Sequence, residues 1–272
     1  MINAWRQNGR FSMAIFLRLR NKIIHWWNAT LLGSTFASFR GSKARARVRF
    51  VVATRLSEKE FWRKSLTGKR LSLLKGNVSV DVRVFASNKA VLASVYNTAI
   101  DESAPEDILV FVHDDVWFND SNVLEKIRLA VFKFDVIGIA GNTRRSPDQP
   151  AWLFKSMNDE GFIWDHGFLS GAVQCGDVNR SAAMVYGPCP ASCELLDGVF
   201  LAARRKVLIR SNVRFDERFG FDFYDMDFCR TARWSGLALG TWPLDLFHAS
   251  GGAFGSESWH KNYRIYLDKW KK

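Results

Sequence analysis

The run ILVFVHDDVWF at residues 108–118 closes an apolar stretch on His113 and two adjacent acids, Asp114 and Asp115. Neighbouring carboxylates repel each other and are stabilised by a cation. A hard divalent ion such as Mg2+ or Mn2+ takes oxygen ligands and keeps positions open for phosphate oxygens. It would bridge Asp115 to a diphosphate and offset charge developing on a departing nucleotide. Acids are also common in solvent-facing turns, so the pair acquires meaning only from its companions. The first companion is FDERFGFDFYDMDFCRTARWSG at residues 215–236, where Asp216, Asp222, Asp225 and Asp227 are interleaved with aromatic residues. A helix N-terminus favours acids through its macrodipole, which accounts for one of the four. Aromatic surroundings desolvate a carboxylate and raise its pKa, which suits a general base acting on a weakly nucleophilic hydroxyl. Asp225 is the favoured base. The second companion is His248 in LFHASGGAFGSESW. A ring nitrogen there can complete the metal site, and the glycine-rich loop after it can close over a diphosphate with its backbone amides. Taken alone, His248 reads equally as a core or turn histidine.

These residues need a frame that brings them together. Residues 48–54 (VRFVVAT) and 80–85 (VDVRVF) read as strands, and 108–113 (ILVFVH) as a strand buried on both faces. Helical periodicity covers 88–100 and 122–133, a further strand 135–140, a helix 223–237 and a last strand 239–247, with a second regular region from 200 to 208. The alternation predicts βαβ units in an α/β domain built on an open, mostly parallel sheet flanked by helices. Ligands of such sheets bind beyond the carboxyl ends of the strands, where Asp114 and Asp115 fall. Residues 142–195, rich in Gly, Ser, Asn, Asp and Pro, read as loops and short strands forming an acceptor or lid surface.

With 272 residues, 47% apolar and including 22 Phe and 11 Trp, the chain can bury a core without staples. Cys175, Cys189, Cys193 and Cys229 show neither disulfide-framework nor zinc spacing and read as thiols in a reducing compartment. The net charge of +12 is unevenly placed: residues 1–57 hold eleven Lys/Arg and no acid, which leaves 28 basic against 27 acidic residues for the rest. A nucleic-acid enzyme would carry positive charge on its working face as well, so nucleic acid is excluded as a partner. Residues 1–47 read as a basic arm and linker preceding a domain at 48–272, itself divided into a nucleotide-binding half (48–141) and an acceptor and catalytic half (142–272). Within the arm, residues 12–32 place Phe16, Leu19, Ile23, Trp26 and Trp27 on one helical face, with Arg18, Lys22 and His25 on another. The charges exclude a membrane span. The helix either lies on an anionic membrane surface or packs on the body. The expected location is cytoplasmic, with peripheral contact at the inner face of the cell membrane.

The three stations, HDDV at 113–116, Tyr224-Asp225 and His248, resemble in their order the family 2-like glycosyltransferases of the GT-A fold, bacterial members with a strand-ending HDDV above all. The resemblance covers about residues 48–270. It implies that Thr54, Asn88, Tyr96 and Asn97 hold the nucleotide. Asp114 would face the diphosphate, and Asp115 and His248 would bind Mn2+ or Mg2+. Asp197-Gly198 (in LLDGVFLA) would face the donor sugar and acceptor, and Asp225 would be the catalytic base. The family's Glu-Asp pair reads Tyr224-Asp225 here, a departure at the first position. The implied reaction is inverting transfer from a nucleotide-diphosphate sugar, with UDP the commonest base, to a saccharide or lipid-linked glycan. Two alternatives remain. A sugar nucleotidyltransferase would show a Gly-rich phosphate loop after the first strand, and VVATRLSEKEFW has no glycine. A non-catalytic nucleotide-sugar or glycan-binding protein would need no base, so hydrolysis dependent on Asp225 separates the two.

Overall fold

The computed structural model describes residues 46–176, 182–251 and 254–271. The expected membrane-binding helix at 12–32 lies outside the described residues. Ala46–Lys272 form one compact unit. Among the described residues no helix is long and apolar enough to cross a membrane.

The strands in chain order are β1 (Val48–Ala53), β2 (Val80–Phe85), β3 (Ile108–Val112), β4 (Val116–Phe118), β5 (Val136–Gly138), β6 (Ala140–Asn142), β7 (Phe154–Asn158) and β8 (Gly161–Trp164). They continue as β9 (Leu169–Cys175), β10 (Ala182–Gly187), β11 (Ala191–Cys193), β12 (Leu195–Leu196), β13 (Phe200–Arg204), β14 (Leu239–Thr241) and β15 (Leu246–His248). The helices are α1 (Glu58–Lys64), α2 (Leu66–Ser72), α3 (Leu92–Glu102), α4 (Val123–Lys133), α5 (Arg205–Arg210), α6 (Tyr224–Trp234) and α7 (Glu257–Trp270).

The main sheet has the order β11-β14-β5-β13-β3-β1-β2. Its core strand β3, apolar at all five positions, is buried throughout, as a strand covered on both faces must be. The α/β class and the open sheet are as expected, but the sheet is mixed rather than mostly parallel. β1 pairs in parallel with β2 and β3, and β14 with β5. β13 runs antiparallel to both β3 and β5, and β11 antiparallel to β14. The cause lies in the second sheet, ordered β12-β6-β9-β15-β4 with β10 on β9. β12 pairs with β6, which follows β5 at its carboxyl end. The chain therefore enters β13 from the carboxyl ends of its neighbours and must run against them.

Two expected strands divide between these sheets. Residues 135–140 split at Ile139 into β5 in the main sheet and β6 in the second. Gly141 allows the crossing, since a Cβ there would stand 2.3 Å from the Leu195 carbonyl oxygen. Residues 239–247 split after Trp242, whose amide still donates to Gly138 O at 2.9 Å. Pro243 then has no N–H to offer the ladder, and the chain turns into β15. Helix α3 starts at Leu92 rather than 88, because the Asn88 side chain spends its oxygen on the Ala90 amide in a local turn. The expected loop region 142–195 contains the β7–β8 hairpin and β9–β12.

β13 carries Phe200, fully buried and edge-on to Phe118 at 6.1 Å. Replacing Phe200 with Ala leaves a cavity at the junction of both sheets and is expected to cost about 3–5 kcal/mol. Urea unfolding checks this. The midpoint should fall with the slope unchanged.

Candidate active site

β3 delivers His113, Asp114 and Asp115 to its carboxyl end, and α2 holds the turn that carries them. Thr67, fully buried, donates its hydroxyl towards the carbonyls of His113 (2.7 Å) and Val116 (2.9 Å), and its amide donates to Asp114 O at 3.1 Å. In this turn Asp114 points to β1, where the Thr54 hydroxyl donates to its carboxylate. Burial raises the Asp114 pKa, and the Thr54 bond opposes that rise. His113 and Asp115 turn together towards β15.

There Asp115 Oδ1 lies 3.2 Å from His248 Nε2, and the Ser250 amide donates to Asp115 Oδ2 at 3.1 Å. Burial alone would raise the Asp115 pKa. The bonds from His248 and Ser250 outweigh it and hold this carboxyl well below the usual range. The His113 and His248 rings are 5.6 Å apart. Burial, reinforced by His248, lowers the His113 pKa to about 4, so the ring is neutral at physiological pH with a lone pair to give.

One ligand atom each from His113, Asp115 and His248 lie within 4.8 Å of one another. Three ligand atoms this close can converge on one ion when the side chains close in around it. Two imidazoles and an ionised carboxylate suit a first-row divalent ion, and of the two ions expected they suit Mn2+ better than Mg2+. The residues present therefore fit the implied metal, with His113 added to the pair expected from the sequence. The signal for His113 was that it opens the same HDDV run that carries Asp115.

Asp197-Gly198 and α6 meet beside this cluster. Asp197 caps its own turn, accepting from the Val199 amide at 3.0 Å, and its amide donates to Ala140 O at 2.9 Å. Burial raises its pKa. Asp225 accepts from the Gly198 amide at 2.9 Å and the Met226 amide at 2.8 Å, one on each oxygen. Burial first, and Asp197 second, push the Asp225 pKa up to about 7 against those two bonds. A carboxyl with this value at neutral pH has both an ionised population and real proton affinity. The Tyr224 hydroxyl donates to Gly198 O at 2.8 Å and touches His113 Nε2 at 3.0 Å.

The other three aspartates of the 215–236 cluster have structural partners. Asp216 pairs with Arg218 and Lys269, and fully buried Asp227 with Lys269 and the Trp270 indole N–H. Asp222 accepts from Ser258.

The expected nucleotide residues divide. Thr54, bonded to Asp114, belongs to the site. Asn88 donates its amide to Thr54 O at 2.9 Å, but its side chain closes its own turn with Ala90. Tyr96 is 1% exposed and packs on Phe111 and Phe215, so the expected ligand contact gives way to a core role. Asn97 is likewise taken up by the fold: its side chain clamps Phe215 through both backbone groups, at 2.9 and 3.0 Å. The four cysteines are free, as read from their spacing.

A family model described as "Glycosyltransferase like family" matches residues 51–244. No curated protein matches the chain. Among solved structures, A197 from STIV is 12% identical over 75% of this chain and 86% of its own, with a TM-score of 0.45. GalNAc-T7, solved with UDP, GalNAc and Mn2+, is 11% identical over 84% of this chain and 49% of its own, at 0.47. S. aureus TarS 1-349 in complex with UDP is 14% identical over 75% and 61%, at 0.41.

The raised Asp225 pKa has a consequence for stability. The folded state holds this proton up to about pH 7, whereas an unfolded aspartate releases it near pH 4. The folded state thus binds more protons in that window, and the contribution of Asp225 to stability falls as pH rises through it. Metal-free protein and Asp225→Asn compared by urea unfolding at pH 5 and pH 8 check this. The wild type should lose roughly 2 kcal/mol relative to the variant on going to pH 8.

Proposed function

The chain belongs to the glycosyltransferase-like family whose model spans residues 51–244, and from that premise we propose that it is an inverting, metal-dependent enzyme that transfers a sugar from a nucleotide-diphosphate donor to a hydroxyl of a saccharide or lipid-linked glycan. One observation carries the reading. A continuous hydrogen-bonded path joins the histidine–aspartate cluster to the base: His113 Nε2 to Tyr224 Oη (3.0 Å), Tyr224 to Gly198 O (2.8 Å), and Gly198 N to Asp225 (2.9 Å).

Asp225 removes the proton from the acceptor hydroxyl. Its two amide hydrogen bonds still leave lone pairs on each oxygen. The freed oxygen attacks the anomeric carbon as the bond from that carbon to the diphosphate breaks on the opposite face, and the configuration inverts. Asp197 keeps Asp225 basic by repulsion and stands with Gly198 where donor sugar and acceptor meet. Asp115, His248 and His113 would hold the divalent ion, which supplies positive charge for the leaving diphosphate. Thr54, through Asp114, sets the second carboxylate of the pair at the donor's edge. UDP with Mn2+ is the donor and ion of choice, on the grounds of the imidazole-rich ligand set and the family.

Calorimetry with UDP and Mn2+ tests the assignment. Asp115→Ala should lose metal-dependent nucleotide binding. Asp225→Asn should bind nucleotide as the wild type does and lose turnover by 100-fold or more, on the order of a general base's contribution. Equal UDP affinity with and without Mn2+ in the wild type contradicts the metal role.

The eleven basic residues and no acid at 1–57 support attachment of this enzyme to an anionic membrane surface through 12–32, where a lipid-linked acceptor would be at hand. Full-length protein should float with liposomes containing anionic lipid, and a protein lacking residues 1–45 should not. Equal flotation of the two excludes the attachment.

A further inference from the structure

Tyr224 stands where the resembling family has Glu, and its hydroxyl has a single proton to give. One neighbour, Gly198 O at 2.8 Å, can only accept. That proton is therefore committed to the carbonyl. A second neighbour, the Tyr96 hydroxyl, carries a proton of its own to give, and the third, His113 Nε2 at 3.0 Å, faces an oxygen whose proton is taken and must bring its own. A neutral imidazole carries one N–H, so His113 bears it on Nε2 and has its lone pair on Nδ1. Among the described residues no hydrogen bond uses Nδ1. The opposite tautomer would set two lone pairs against each other inside the protein.

The ring has little freedom to escape this arrangement. Phe221 lies 5.5 Å from it on one side and His248 at 5.6 Å on another. Tyr224 itself is 2% exposed and packed against Tyr96 at 5.9 Å. One ring nitrogen of His113 lies within 4.8 Å of a ligand atom from each of Asp115 and His248. Histidines that bind metals characteristically donate their second ring N–H to a fixed oxygen, which sets the tautomer and aims the ligand nitrogen. Here that oxygen is a tyrosine hydroxyl anchored to the turn that also positions the base.

We propose that Tyr224 is a positioning residue that holds His113 with its proton on Nε2, and that His113 thereby serves through Nδ1 as the third protein ligand of the divalent ion. The inference rests on the metal reading of Asp115 and His248. It fixes the tautomer and the ligand nitrogen of the second imidazole in the site already described, which favours Mn2+ over Mg2+.

The test has two arms on the full chain. In metal-free protein labelled with 15N, two-bond 15N–1H correlations report the His113 tautomer without any ion. The Nε2–H form is expected in the wild type and a mixture in Tyr224→Phe. In the second arm, electron paramagnetic resonance of free Mn2+ measures binding to the wild type and three variants. Tyr224→Phe and His113→Gln should each weaken Mn2+ binding about 10–100-fold, and Asp115→Ala should abolish it. An Nδ1–H His113 in the wild type overturns the proposal. So does Mn2+ binding that is equal in the wild type, Tyr224→Phe and His113→Gln but lost in Asp115→Ala; the metal site then stands without Tyr224. If the wild type binds no Mn2+, the metal reading itself has failed and the proposal falls with it.

Discussion

The site depends on how closely helix α6 approaches the Asp197-Gly198 turn. A Cβ on Gly198 would lie 2.3 Å from Tyr224 Oη and 2.9 Å from Asp225 Cβ, so only glycine lets the two meet. With that contact made, the two backbone groups of Gly198 fix both residues that begin the helix. Its amide binds Asp225 and its carbonyl takes the Tyr224 proton. The chain enters α6 through Phe223 at φ +66, a left-handed conformation unusual for a large side chain. Its ring is held against Trp259, Tyr263 and Tyr266 of α7. The C-terminal helix thus secures a strained entry that aims Asp225, at a backbone cost on the order of 1–3 kcal/mol.

Much of this was legible in the sequence because it follows local rules. The apolar run at 108–112 is a doubly buried strand, and the acids beyond it fall at its carboxyl end. The starts and ends of α4 and α6 followed periodicity to within a few residues. What escaped was non-local. Nothing near Ile139 or Pro243 says that the next few residues join a different sheet, and β13 runs antiparallel only because β12 has paired with β6. The resemblance alone puts Tyr96 and Asn97 at the nucleotide. Their side chains instead face inward to Phe111 and Phe215, a direction that depends on which helix face meets the sheet. Helices α1, α2 and α7 had no counterpart in the expectations. α1 did carry a readable signal, the capping box Ser57-x-x-Glu60, but at seven residues its periodicity is too short to register.

The acids show how charge is sorted between fold and chemistry. Asp216, Asp225 and Asp227 fall within twelve residues of sequence. Asp227 is wholly buried yet meets Lys269 at 2.8 Å, and Asp216 shares that lysine. Removing one partner of such a buried pair is costly, which ties α7 to α6. Among the described residues Asp225 has no cation beside it, only two amides and a repelling Asp197. Sequence spacing could single out the cluster but could not assign these partners, because Lys269 and Trp270 are more than forty residues away.

The central claim is that the acids and histidines of four separate segments make one site around a single divalent ion. Paramagnetic broadening of backbone amide signals by substoichiometric Mn2+ tests it most directly, because the effect falls steeply with distance from the ion. The account predicts that amides of Asp115, Gly198, Met226 and Ser250 vanish together, while those of Trp62 and Val82, beside a cavity of about 240 Å³ between α1, the end of α2 and β2, persist. Broadening confined to one of the four segments, or spread over the surface acids, would contradict it.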